Sequence, residues 1–165
     1  MLSVSVSLEN IAQAGSVLGA VLGNPGTAQL VANSAAESYT SETLDWIAAG
    51  KAFTPRHGGA GLEGAISWHP LGNGGAVVYV NKLYAQYVEE GTGIHAGHQP
   101  WVIGPKEGRK ALKIPTGGPG GYVIRSHVTH PGSKPFPFFY ADREHRNERM
   151  AVAGRSLLLR KMANG

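Results

Sequence analysis

Apolar and polar residues alternate from the start of the chain. Leu2, Val4, Val6 and Leu8 are separated by Ser3, Ser5 and Ser7, the period of a strand with one buried face. Asn10 could cap a helix, and apolar residues follow at 11, 17, 18, 21 and 22. Gly15, Gly19 and Gly23 share one helical face, so the spacing predicts a helix over 11–22 that approaches a neighbour closely. Asn24-Pro25-Gly26 predicts a turn. Thr27 to Ala52 has helical period, with Leu30, Val31, Ala35, Tyr39, Leu44, Ile47 and Ala48 as inward positions. Thr40, or Ser41-Glu-Thr-Leu44, resembles a fresh helix start and predicts an interruption there.

Phe53-Thr54-Pro55 ends that helix, and a glycine-rich loop spans 56–64. Gly64 to His69 and Ala76 to Val80 predict two strands of a hairpin, joined by Leu71-Gly72-Asn73-Gly74-Gly75. The second strand runs directly into Asn81 to Thr92. There Leu83, Tyr84, Tyr87 and Val88 make one short helical face, closed by Glu89 and Glu90 and stopped by Gly91. The remaining elements are organised around this strand, helix and glycine stop. A long loop covers 91–108, and Ala111 to Pro115 and Tyr122 to Thr129 predict two further strands about a turn at 116–121. His130 to Pro135 predicts a rigid loop. Phe136 to Tyr140 leads into a last helix, with Pro137 in its first turn. That helix is charged from Asp142 to Arg149 and then apolar at Met150, Val152, Leu157, Leu158 and Leu159. This order predicts a single α+β domain over 1–165: a mainly antiparallel sheet packed against two or three helices, with long Gly/Pro-rich loops.

Composition sharpens that picture in two respects. The 24 glycines are about twice average usage, and charged residues, at 16%, fall below the roughly 25% of ordinary soluble domains. Both fit a surface covered in an assembly, or long ordered loops. The formal charge of +4 is mildly basic and by itself indicates no nucleic-acid partner. There is no cysteine, which excludes disulfides and thiolate chemistry. The first residues lack the basic region of a secretion signal, and no apolar run reaches the roughly 18 residues of a membrane span. The expectation is a soluble protein made inside the cell, with no membrane partner.

Candidate chemistry is sparse. His95-x-x-His98 and His127-x-x-His130 form the best metal pattern, because imidazole is a good zinc ligand and two pairs could build a tetrahedral site. Against this, no carboxylate is near either pair in sequence, and His127 and His130 would point to opposite faces of a strand. Surface, interface or loop-packing histidines are the favoured explanation. Glu89 with Glu90, and Asp142 with Glu144, diverge on a helix and do not face one site; both pairs are expected to be solvated or to face a subunit. Arg143, Arg146, Arg149, Arg155, Arg160 and Lys161 give the last helix a basic bias, interleaved with acids such as Asp142, placed for attraction to Arg146. No nucleophile elbow, phosphate loop or dinucleotide fingerprint is present.

Two motifs carry a resemblance. Tyr84-Ala-x-Tyr-Val-Glu-x-Gly-Thr92, then Val128-x-His-Pro-Gly-x-Lys-Pro-x-Pro-Phe-Phe139, with Leu112 to Pro115 between them, resemble the tail-component family of tailed bacteriophages, whose members are neck or tail-completion proteins. Phe53-Thr-Pro to Ile66-Ser67 is more weakly similar, since Gly58-Gly59-Ala60-Gly61-Leu62 stands where the family has Thr-Gly. The resemblance covers roughly 53–141. It implies a non-enzymatic virion protein at the head–tail junction, made in the host bacterial cytoplasm and acting as neck, tail-completion or tail-terminator protein. It further implies a homo-oligomeric, hexameric ring between a head-completion or connector protein and the tail tube or terminator, with phage DNA passing through the lumen without sequence specificity. No cofactor, metal or catalytic residue is implied. The positions expected to act in structure or interface are Tyr84, Tyr87, Val88, Glu89, Gly91, Thr92, Trp101, His130, Pro131, Gly132, Pro135 and Phe138. The alternative is a small metal-dependent hydrolase using His95, His98, His127 and His130; a basic nucleic-acid-binding module is a third reading.

Overall fold

A computed structural model describes residues 2–6, 25–54, 61–117 and 120–163. The helix expected over 11–22 and most of the loop at 56–64 lie outside these residues. The chain belongs to the α+β class. Among the described residues three helices, α1 (Pro25–Ala48), α2 (Ala85–Glu90) and α3 (Arg143–Ala163), accompany seven strands: β1 (Ser3–Val6), β2 (Ile66–Pro70), β3 (Ala76–Val80), β4 (Trp101–Ile103), β5 (Leu112–Pro115), β6 (Tyr122–Arg125) and β7 (Val128–His130). All strand pairs are antiparallel, but they divide into three small sheets, β1-β3-β2, β4-β7 and β5-β6. The chain forms two compact units, one of residues 1–89 and 137–165, the other of residues 90–136.

In the first unit β3 is the central strand. Its alternate residues Ala76, Val78 and Val80 are fully buried, as its period-two pattern requires. β1 pairs along one edge with Val4 opposite Val78, and β2 along the other with Ile66 opposite Val80. α1 lies on this sheet through Ala28, Val31, Ala32, Ala35, Ala36, Tyr39, Thr43 and Ile47. The small alanines let the helix come close, and α3 packs on α1 through Met150, Gly154 and Leu158. Gln29 ties α1 to the hairpin turn: its side chain donates to the Gly75 carbonyl at 2.7 Å and accepts from Gly74 N–H at 3.3 Å.

Several expected boundaries are corrected. α1 starts at Pro25, where a turn was expected, because proline at the first helical position forfeits no hydrogen bond. It runs through Thr40 and Ser41 without interruption. Thr40 Oγ1 donates to the Ala36 carbonyl and Thr43 Oγ1 to that of Tyr39, so these hydroxyls bond inside the helix instead of capping a new one. The helix stops at Ala48, short of Ala52, in a reverse-turn cap: Gly50 takes φ 67°, its N–H bonds Ile47 O, and Lys51 N–H bonds Trp46 O. Leu30 and Ala48, expected inward, are exposed. The first hairpin strand begins at Ile66, after a 3-10 turn over Glu63–Ala65.

The second unit, residues 90–136, is built from the two ribbons and a 3-10 turn, Gly93–Ala96. The expected long loop at 91–108 therefore contains structure, including β4. The single strand expected over 122–129 is two: β6 pairs with β5, and β7 pairs with β4, with Ser126 and His127 between them. His127 is thus outside any strand, and the opposite-face geometry expected for His127 and His130 does not apply.

Candidate functional site

The organising segment turns out to face the other way from its sequence pattern. Leu83 is 97% exposed, Tyr84 45% and Tyr87 63%, whereas α2 buries Ala85 and Glu89. A helix one and a half turns long has little apolar area to commit, and a stronger polar interaction sets its orientation. Glu89, expected to be solvated or subunit-facing, is only 7% exposed. Its carboxylate accepts three consecutive backbone N–H groups, from Phe138 (2.8 Å), Phe139 (2.8 Å) and Tyr140 (2.9 Å). Such charge-assisted bonds are about twice as strong as neutral ones.

Two carbonyls of the same stretch, those of Phe138 and Phe139, meet a buried cation. Arg146, 1% exposed, donates through Nη1 to Phe138 O at 2.9 Å, Phe139 O at 2.7 Å and Thr43 Oγ1 at 3.0 Å. Its expected attraction to Asp142 is absent as a side-chain contact; instead Arg146 N–H bonds the Asp142 carbonyl as α3 begins. The guanidinium carbon lies 5.5 Å from the ring centre of Tyr39 and 5.7 Å from that of Trp46, where the ring faces favour a cation. Nη2 of Arg146 and Nε1 of Trp46 are buried with no hydrogen-bond partner among the described residues. Tyr39 donates its hydroxyl to Phe139 O. Burial raises its pKa above 10.0, opposed by the nearby Arg146 charge. An anion on the amides and a cation on the carbonyls hold residues 138–140 out of helical geometry. That is why α3 starts at Arg143, after Asp142 at φ 51°, and not at Phe136. Phe138 and Phe139 are fully buried, so Phe138 is a core residue, while Phe136 and Tyr140 are 45% and 37% exposed.

In the second unit the end of the first motif, Gly91-Thr92, lies beside residues 131–135 of the second. Thr92 N–H donates to Ser133 O at 2.9 Å, and Ser133 N–H returns a bond to Thr92 Oγ1 at 2.8 Å, across 41 residues of chain. Ile94 N–H donates to Pro131 O at 2.8 Å. The glycines make this approach feasible. A Cβ on Gly91 (φ 78°) would sit 2.7 Å from Ser133 O and 2.8 Å from Pro135 N. A Cβ on Gly132 (φ 106°) would collide with the Thr92 carbonyl. Glu89, Gly91, Thr92, Pro131, Gly132 and Pro135 thus hold backbone geometry; Val88 is half-buried.

The ribbons beyond this junction expose apolar surface. All three residues of β4 are exposed, Trp101 by 50%, Val102 by 69% and Ile103 by 44%, and in β6 Tyr122 is 50% and Ile124 60% exposed. His130 lies opposite Trp101 in the β4-β7 register, with ring centres 6.2 Å apart, and its Nδ1 accepts from Gly132 N–H at 3.0 Å. His127 Nδ1 is 3.1 Å from Ser126 Oγ. Among the described residues no three His, Asp or Glu side chains gather as a metal ion would need, and no helix is long and apolar enough to cross a membrane. Nothing in the pattern of the sequence pointed to Arg146 as buried; the one available signal was that it shares a helical face with Met150, four residues on. Compared with known protein families, curated proteins and solved structures, the chain matches none of them.

Proposed function

We propose that this chain is a structural protein of a tailed phage particle, assembling as a homo-oligomeric ring at the head–tail junction through which DNA passes. The observation that supports this reading is the motif junction. The Tyr-Val-Glu-x-Gly-Thr and His-Pro-Gly-x-x-Pro segments, on which the family resemblance rests, meet in space, and their residues serve backbone architecture. The chain spends its most elaborate polar contacts, around Glu89 and Arg146, on holding the fold. The two-stranded ribbons are a second support. Isolated two-stranded ribbons are marginal in water, and open edges flanked by exposed Trp101, Val102 and Ile103 suit burial against the next copy in a ring.

The test is native mass and negative-stain imaging across a concentration series, alone and with the tail tube protein of the same phage. Closed rings of one symmetry are expected. Replacing Val102 by Asp should dissolve them while leaving the far-ultraviolet spectrum unchanged. Monomers at every concentration, with and without the tube protein, would overturn the reading.

A further inference from the structure

The formal charge of +4 is concentrated in one unit. Residues 90–136 contain six Lys and Arg against two acids, Glu90 and Glu107. The nine Lys and Arg of the other unit are balanced by nine Asp and Glu. The basic bias of α3, conspicuous in the sequence, is therefore neutralised within its own unit: Arg146 is buried against carbonyls, and Arg149 Nε pairs with Glu42 at 2.9 Å. By contrast Lys106, Arg109, Lys110, Lys113, Arg125 and Lys134 are all exposed, and no ion pair among the described residues engages them.

Four of these cations sit on or just before the β5-β6 ribbon. Arg109 and Lys110 precede β5. The register sets Lys113 opposite Ile124 and Pro115 opposite Tyr122, so these four side chains share one face. The Lys113 ammonium lies 3.9 Å from the centre of the Tyr122 ring, which orders the cation beside an exposed aromatic. Arg125, opposite Leu112, carries charge to the other face. Exposed cations interleaved with tyrosine and aliphatic groups match a phosphate backbone. The shared face offers no Asn, Gln or Arg to read base edges by bidentate hydrogen bonds.

We infer that the β5-β6 ribbon with its approach, residues 106–117 and 120–125, is a sequence-independent contact surface for duplex DNA. This deepens the reading above, in which DNA passes the protein, by naming the surface that meets it. It is tested with the full chain and a fluorescently labelled short duplex of mixed sequence, by anisotropy across a salt series. Affinity should fall with salt along a log–log slope of about −4 to −5, for roughly four to six phosphate contacts. K113E/R125E should lower affinity at low salt by about tenfold or more and flatten the slope by roughly 2. R155E/R160E, the same charge change on α3, should stay within about twofold. Duplexes rich in A·T or in G·C should bind alike. Salt-insensitive or undetectable binding would overturn the inference. So would equal loss in the α3 variant, or equal affinity for phosphatidylserine vesicles. Native mass of the same variants separates the two readings. Rings that form but do not bind duplex overturn the DNA surface alone; duplex binding by a chain that never forms rings overturns the ring alone.

Discussion

At the scale of single residues, the fold turns on one carboxylate that holds three consecutive N–H groups, of residues 138–140, and one guanidinium that holds the carbonyls of Phe138 and Phe139. Removing either leaves buried backbone groups without partners, at about 1–3 kcal/mol for each. Glu89→Gln replaces one accepting oxygen by an NH2 that faces N–H donors, and should cost about 2–3 kcal/mol in urea denaturation. Arg146→Met leaves the Phe138 carbonyl unsatisfied, while Phe139 O keeps its bond from the Tyr39 hydroxyl, and should cost about 1–3 kcal/mol. Because both side chains order residues 138–140, the double variant should lose about 1–2 kcal/mol less than the two losses added together. Strict additivity would show that the two act independently. Tyr39 adds a pH signature. Its folded pKa is raised by burial, so the unfolded chain gives up this proton first. The stability it contributes is complete below pH 10 and is lost as pH climbs from there through the folded value. Tyr39→Phe should be less stable near neutrality by about 1 kcal/mol, the worth of its hydroxyl bond. The difference from wild type should shrink above pH 10, and an unchanged difference would contradict the assignment.

At the scale of elements, legibility in the sequence followed length. α1 has enough periodic apolar positions that pattern alone placed Val31, Ala35, Tyr39 and Ile47 inward, though it added the exposed Leu30 and Ala48; for β3 pattern identified the strand, and its buried side, Ala76, Val78 and Val80, comes from the structure. The interruption expected at Thr40 did not occur, since serine and threonine signal a cap only where no helical carbonyl lies behind them. α2 has six residues, and for it apolar pattern named the wrong face. The decisive partner of Glu89 lies 49 to 51 residues away along the chain, beyond any local window. The split of 122–129 into β6 and β7 was hidden for a like reason, because it depends on which strand each half finds. The exposed face of α2 yields a test. Replacing both Leu83 and Tyr87 by Ser should change stability by no more than about 0.5 kcal/mol each. Ala85→Leu, forcing bulk into a fully buried position, should cost about 1–3 kcal/mol by the same denaturation measurement.

At the scale of the molecule, the motif residues of the candidate site were legible as a set, because glycine and proline mark backbone constraints directly in the sequence. Their mutual contact was not legible, nor was the concentration of net charge in residues 90–136. The chain has no cysteine, and every link across the excursion from Glu90 to Phe136 is non-covalent. Those links come from both sides of the exposed segment 106–110. Residues 91–94 bond residues 131–133, β4 pairs with β7, Glu89 holds residues 138–140, and α1 packs on α3. The polypeptide should therefore tolerate being made in two pieces. Co-expressed as 1–106 and 107–165, the halves should co-purify and melt as one cooperative unit, with the lower midpoint that a bimolecular complex at finite concentration requires.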